Sequence, residues 1–322
     1  KLVATRADLQ RQKSELSNSK KTTSMIMGDN LPNKMRKTYI LNRGAYDAPK
    51  KEEEIPAGTP AALPAIDPKA PQNRLTLAKW IFSDDHPLAS RVAVNMIWQS
   101  FFGTGLVATP GDFGAQGAYP THPELLDWLA VDFRENGWAM KRLIRQILTS
   151  RTYQQSSRRR PGITSKDPEN HFLARAPRFR LQGEFIRDNA LALSGLLNPL
   201  MGGPGVKPYQ PPGLWAQVGL GGNPKFKQDN GDKLYRRSIY TYWKRSAPAP
   251  NMQIFDAPTR EICVMKRPRT NTPLQALVTM NDTQFVEAAR MLAQRAMKEG
   301  GATAESQGRY AFELATARKP NA

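Results

Sequence analysis

Apolar side chains recur at the three- and four-residue spacing of amphipathic helices between residues 73 and 149, and this periodicity constrains the fold most strongly. Gly103 and the pair Asn136-Gly137 follow two of these stretches, and such residues commonly end helices. The stretch 183–197 repeats the pattern. We therefore predict a mainly α fold: a helical bundle-like domain with long Pro/Gly-rich loops and a few short strands.

Two segments rich in β-branched and aromatic residues predict short strands, at residues 38–44 and 238–243. Between residues 198 and 234 glycine and proline are too frequent for a regular element. Long loops of this kind inside a domain are often functional.

The chain divides into three parts by composition. Residues 1–46 carry leucines at seven-residue spacing and predict a helical or coiled-coil segment followed by a short strand, the end of a preceding region. Residues 47–72 contain six prolines and predict an extended linker. Residues 73–322 form the predicted helical domain, whose C-terminus we expect to be truncated.

Lysine and arginine exceed aspartate and glutamate by 47 to 28, which gives a net charge of +19. Such a charge favours polyanions as partners: nucleic acid, acidic glycan or an acidic protein. A solvated basic surface, or one that faces acidic domains of the same polypeptide, explains the charge as well. In either case we expect the excess charge to lie outside the helical core.

Cysteine content, ligand spacing and the length of apolar runs limit which cofactors this chain can bind and whether it can cross a membrane. With Cys263 as its one cysteine, it has no Cys-x-x-Cys-His motif for haem c attachment and no internal disulfide. No metal-ligand spacing is found, so we expect no cofactor and no metal in this chain. No apolar run reaches the roughly 18 to 20 residues of a membrane span.

Eight sequence blocks, in the same order, closely resemble the cytochrome-associated planctomycete-type family called domain of unknown function 1553. The blocks are residues 73–75 (NRL), 86–99 (HPLASRVAVNMIWQ), 111–114 (GDFG), 122–130 (HPELLDWLA), 201–204 (MGGP), 236–240 (RRSIY), 256–263 (DAPTREIC) and 269–277 (RTNTPLQAL). The resemblance implies a large exported bacterial protein, periplasmic or extracellular, with a c-type cytochrome module elsewhere in the polypeptide. Haem c would then belong to a neighbouring domain, and companion domains or subunits would be the partners.

Two groups of polar residues are candidates for chemistry. Asp112, His122, Glu124 and Asp127 are the ligand types of a cation site or a general acid/base pair, although Glu124 also has the spacing of a capping box with Thr121. The second group combines carboxylates, arginines and an amide before a helix start, where anions bind. It comprises Asp256, Arg260, Glu261, Arg267, Arg269 and Asn271. A buried ion-pair lattice that pins this segment is the structural alternative.

Aromatic residues cluster around the glycine-rich loop, and Trp215, Tyr240 and Trp243 are the candidates for stacking on sugar rings. Aromatic residues of a strand are also common in a core. The leading hypothesis is a structural and binding module that presents a basic, aromatic surface to an anionic glycan or to companion domains. The alternative is the substrate-converting domain of a haem-linked oxidoreductase acting on carbohydrate. Nucleic-acid binding rests on charge alone and fits poorly with export.

Overall fold

The computed structural model describes residues 2–18, 25–30, 34–218 and 225–321. Residues 219–224, which are part of the predicted glycine-rich loop, lie outside this description. The chain forms two compact units, Lys1–Ala89 (unit 1) and Ser90–Ala322 (unit 2). The described residues are mainly helical with a two-stranded sheet, so the predicted fold class is confirmed.

The helices and strands have the following bounds. The helices are α1 (Leu2–Asn18), α2 (Arg74–Ile81), α3 (Ala89–Phe102), α4 (Pro123–Glu135), α5 (Met140–Thr149), α6 (Pro161–Thr164), α7 (Gly183–Ser194), α8 (Leu214–Gln217), α9 (Pro250–Gln253), α10 (Pro273–Asn281), α11 (Thr283–Glu299) and α12 (Ala304–Thr316). The strands are β1 (Thr38–Leu41) and β2 (Pro49–Ile55). Within the described ranges, none of these helices combines the length and apolarity needed to cross a membrane.

Unit 1 contains an antiparallel hairpin of β1 and β2, with Thr38 opposite Ile55. The predicted strand at residues 38–44 is therefore confirmed, and part of the segment predicted as a linker forms β2. The Lys37 ammonium lies 2.7 Å from a Glu54 carboxylate oxygen across the hairpin. The division of the chain at residues 72 and 73 stays a prediction.

Helix α2 begins as predicted, because the Asn73 side chain accepts a hydrogen bond from the Thr76 N–H at 2.9 Å. Its predicted apolar face, however, is not in a core: Leu75 is 62% exposed and Phe82 57% exposed. Unit 1 instead covers the side that carries Trp80, whose indole N–H donates to the Pro64 carbonyl at 2.7 Å. Periodicity predicted the helix but not which side has neighbours.

In unit 2, α3, α4 and α5 surround one core, and α3 turns Val94, Trp98 and Phe102 into it. The orientation is set by buried Asn95, whose amide donates to the Val107 carbonyl and accepts from the Val107 N–H, at 3.0 and 2.9 Å. The predicted buried face, which comprised Val92, Met96, Ile97 and Phe101, is right only in part. Ile97 and Phe101 pack against the core, whereas Met96 is 39% exposed.

The predicted capping box of α4 does not form. His122 occupies the N-cap without a side-chain hydrogen bond to the helix. The Thr121 N–H donates to the Leu106 carbonyl at 2.9 Å, so Thr121 ties the preceding loop to the core instead.

A second core in unit 2 lies where α7 packs against α11. At its centre Arg187 is only 1% exposed. Its guanidinium donates to the Gln284 side-chain oxygen and to the carbonyls of Leu234 and Arg236, each at 2.7 Å. Burial lowers the pKa of Arg187 to about 10, so the group is still charged at neutral pH. The expectation that positive charge stays outside the core was wrong here.

The same use of arginine recurs through the described part of unit 2. Seven arginines donate to main-chain carbonyls in irregular segments or in the last turn of a helix, where no helix or sheet supplies an N–H. They are Arg160, Arg175, Arg180, Arg187, Arg236, Arg269 and Arg295. Part of the excess of basic residues therefore stabilises the fold.

The strand predicted at residues 238–243 is wrong. Ser238–Tyr240 is a turn of 3-10 helix, and beyond it Thr241 makes only an isolated bridge to Val206. The turn is held to α7, because the Ser238 N–H donates to Asp188 at 2.7 Å and the Ser238 hydroxyl lies 3.2 Å from the Arg187 guanidinium. These long-range bonds override the local strand preference.

The substitution Arg187→Met should lower the free energy of unfolding by about 3 to 5 kcal/mol, because it leaves buried acceptors without donors. Arg145→Met is the matched control: Arg145 is exposed on α5, and we expect a change within about 0.5 kcal/mol. Urea denaturation of both variants measures the difference. Equal stabilities would contradict the role given to Arg187.

Candidate functional site

Asp256 lies at the centre of a hydrogen-bonded group between α9 and α10, formed with Arg180 and Thr270, which we call the latch. Its carboxylate accepts hydrogen bonds from the Arg180 guanidinium, from the Thr270 N–H at 2.7 Å and from the Thr270 hydroxyl at 3.0 Å. The side chains of Arg180 and Asp256 are 14% and 15% exposed. Asp256 has a φ of +60°, a backbone conformation that aspartate adopts more readily than most residues. The carboxylate is thus fully engaged in joining two segments of the chain.

Two more of the predicted residues attach the same segment to neighbouring helices. The Arg267 guanidinium lies 2.8 Å from the Glu184 carboxylate on α7. Arg269 donates to the Gly103 carbonyl at 3.0 Å and covers the Phe179 ring at 4.4 Å. Burial, and then the nearby charge of Arg180, lower the pKa of Arg269. This arrangement corresponds to the structural alternative for the segment.

The remaining predicted residues of this segment lie at the surface. Glu261 and Asn271 are exposed. Arg260 stacks on the Trp243 ring at 4.4 Å, and the Trp243 indole N–H donates to the Thr259 carbonyl at 2.9 Å. The stacking contact and the indole hydrogen bond therefore fix the positions of the Trp243 and Arg260 side chains.

The group around His122 does not converge on one point. Asp112 accepts from the Gly114 N–H at 2.8 Å, the His122 ring lies 3.0 Å from the Thr121 hydroxyl, and Asp127 pairs with Arg91 at 2.6 Å. Among the described residues, no three side chains of His, Cys, Asp or Glu are grouped so that they could hold a metal ion. The oxidoreductase alternative, with Asp256, Arg260 or His122 in its site, stays a prediction.

Trp215 lies at the centre of a different group. We call Lys207, Trp215, Phe226, Tyr242 and Lys244 the cation–indole cluster. The ammonium nitrogens of Lys244 and Lys207 lie 4.8 and 5.7 Å from the centre of the Trp215 ring. The Lys207 ammonium is also 5.3 Å from the Tyr242 ring, and Phe226 packs against Trp215 edge-on at 5.3 Å. Trp215 itself is 4% exposed.

Backbone bonds between distant segments assemble this cluster. The Val206 N–H donates to the Tyr240 carbonyl, and the Tyr242 N–H donates to the Val206 carbonyl, both at 2.8 Å. These bonds place Lys207 beside Tyr242. The turn that starts α8, and so presents Trp215, has Gly213 at a φ of +78°, a conformation that glycine adopts without strain.

The cluster and its immediate chain neighbours hold buried polar atoms that lack hydrogen-bond partners among the described residues. These atoms are the Trp215 Nε1, the Lys244 Nζ and, from the residue before Tyr242, the Thr241 Oγ1. Buried polar atoms are rarely left in this state. The sequence named Trp215 as a binding candidate, but it missed Lys207 and Lys244, because no local pattern links them.

Tyr240 has a different role from the one predicted for stacking. Its hydroxyl accepts from the Gly202 N–H at 2.7 Å, and the Arg236 guanidinium covers its ring at 3.9 Å. Arg236 is 4% exposed and donates to the carbonyls of Pro204 and Leu200. Tyr240 thus closes the glycine-rich loop onto the 3-10 turn.

The chain was compared with models of protein families. The model of PSD1, described as a protein of unknown function (DUF1553), matches residues 73–322. The chain belongs to this family. The resemblance seen in the sequence blocks is therefore confirmed. The comparisons with curated proteins and with solved structures gave no match.

Within this PSD1 region the substitution Asp256→Asn tests the latch. It keeps the shape and the left-handed backbone but removes the charge that Arg180 and Thr270 bind, so the free energy of unfolding should fall by about 1 to 3 kcal/mol. The exposed Glu261 provides the control, and Glu261→Gln should leave stability unchanged within about 0.5 kcal/mol. Chemical denaturation followed by circular dichroism measures both. An unchanged stability of the Asp256→Asn variant would show that the latch contributes little.

Proposed function

We propose that this PSD1 chain is a structural and binding module of a large exported, c-type-cytochrome-associated protein, and that unit 2 binds an anionic glycan. The observation that carries the proposal is the cation–indole cluster. Two lysine ammoniums lie against one buried indole, and the indole N–H has no acceptor among the described residues. A group of unsatisfied donors with positive charge is complementary to an anionic ligand.

The charge around the cluster supports the same ligand class. Lys225 and Lys227 are exposed on either side of Phe226, which packs on Trp215. They add two cations to the region of Lys207 and Lys244. Whereas the arginines of unit 2 bond to carbonyls, these lysines are absent from the ion pairs of the described residues. Their field is therefore available to a ligand.

The resemblance to the cytochrome-associated family supports the proposed setting. An exported protein meets polysaccharides outside the cell, and a periplasmic or extracellular location suits this ligand. Haem c would be carried by a neighbouring domain, because this chain, with the single cysteine Cys263, has no Cys-x-x-Cys-His motif. Companion domains of the same protein are the proposed structural partners.

Titration of the chain with polygalacturonate tests the proposal. We expect binding that weakens at least about tenfold when ionic strength rises from about 0.05 to about 0.5 M, because salt screens exposed charges. Neutral dextran of similar length is the control and should not bind. An affinity that is indifferent to salt, or equal binding of dextran, would contradict the proposal.

A further inference from the structure

We infer that the cation–indole cluster is an oxyanion subsite, in which Lys207, Lys244 and the Trp215 indole N–H take the carboxylate of a uronic acid or the sulfate of a sulfated sugar. The inference rests on the proposed function and specifies the part of the glycan that unit 2 recognises. According to this inference, one compact set of side chains binds the charged group of the sugar, and the basic residues dispersed over the surface do not.

The kinds of atom left without partners identify the ligand as an acceptor. Two of the three unpaired atoms are nitrogens that donate: the Trp215 Nε1 and the Lys244 Nζ. The third, the Thr241 hydroxyl, both donates and accepts. A carboxylate or sulfate offers only acceptor oxygens, so it matches this set. A cation would offer these donors no acceptor, and the ammonium would repel it.

Burial makes these unpaired donors costly. Trp215 and Thr241 are 4% and 5% exposed, and the Lys244 ammonium nitrogen is itself buried. An ammonium that has left water without an acceptor is strongly disfavoured. Contact with the indole face compensates only in part, because a cation–π contact supplies no hydrogen-bond acceptor. A bound oxyanion supplies both the acceptor and the opposite charge.

The two lysines also repel each other, since both ammoniums lie within 6 Å of the centre of one ring. The Asp229 carboxylate is hydrogen-bonded to Lys207, but it accepts from the Lys207 main-chain N–H, at 2.7 Å, and not from the ammonium. Neither lysine forms a salt bridge with the described residues. A bound oxyanion would reduce this repulsion, because it brings the opposite charge.

Calorimetric titration of the whole chain with glucuronate, with sulfate and with methyl glucoside tests the subsite. We expect glucuronate or sulfate to bind and methyl glucoside not to bind. Lys207→Gln and Lys244→Gln should each weaken anion binding by about tenfold or more, because each removes one charge-assisted hydrogen bond. Lys141→Gln changes the same charge on the exposed face of α5 and should have little effect.

Trp215→Phe is a second variant that keeps an aromatic ring at this position and removes the indole donor together with part of the ring system. We expect it to weaken anion binding while the thermal unfolding curve stays cooperative. If the lysine variants lose their folded structure, Trp215→Phe still decides between the subsite and a cluster that is only packing. Unchanged anion binding in this variant would overturn the role of the indole N–H.

The outcomes separate the subsite from the proposed function. If polygalacturonate binds the chain but the cluster variants bind it as well as Lys141→Gln does, the subsite is overturned and the proposed function stands. If polygalacturonate does not bind but glucuronate or sulfate does, the proposed function fails and the subsite stands. If no anion binds, water and cation–π contacts satisfy the cluster, and both are overturned.

Discussion

The buried guanidinium of Arg187 holds together the parts of unit 2 on which the cation–indole cluster depends. It joins α7 to α11 through Gln284 and to the irregular segment that carries Leu234 and Arg236. These carbonyls are not paired within a helix or a sheet, so a buried donor must satisfy them. Arginine suits this role, because its planar group presents several donors in a fixed geometry and stays charged after burial. The cation–indole cluster is built on the chain that continues from this segment.

The same solution explains why a loop-rich fold carries so many arginines. Arg180 bonds to the carbonyls of Thr270 and Phe255, and Arg236 to those of Pro204 and Leu200. Each bond replaces one that regular secondary structure would have provided. The net charge of +19 is therefore in part a consequence of the fold, and it overstates the charge that is free to attract a ligand. A specific group of lysines is better support for anion binding than the total charge.

Lys207 and Lys244 contrast with these arginines. The arginines have carbonyl or carboxylate partners, whereas the two lysines meet aromatic rings, and the Lys244 Nζ is left unpaired among the described residues. Folded proteins seldom keep buried donors unsatisfied without a reason such as an ion or a ligand. The residues around Asp256 show the opposite condition, because Arg180, Thr270 and Gln275 already bind one another. The structure thus shifts attention from the polar segment to the glycine-rich loop and its lysines.

The sequence by itself determined the elements whose signals are local. Helical periodicity predicted helices between residues 73 and 149, and Gly103 and Asn136-Gly137 predicted the ends of α3 and α4, because such signals act within a few positions along the chain. Tertiary structure decided which sides of the helices are buried, as Asn95 does for α3, and it replaced the predicted strand after Arg237 with a turn bound to α7. It also brought Lys207 and Lys244 to Trp215. These outcomes depend on contacts between residues far apart in the chain, and no local pattern encodes such contacts.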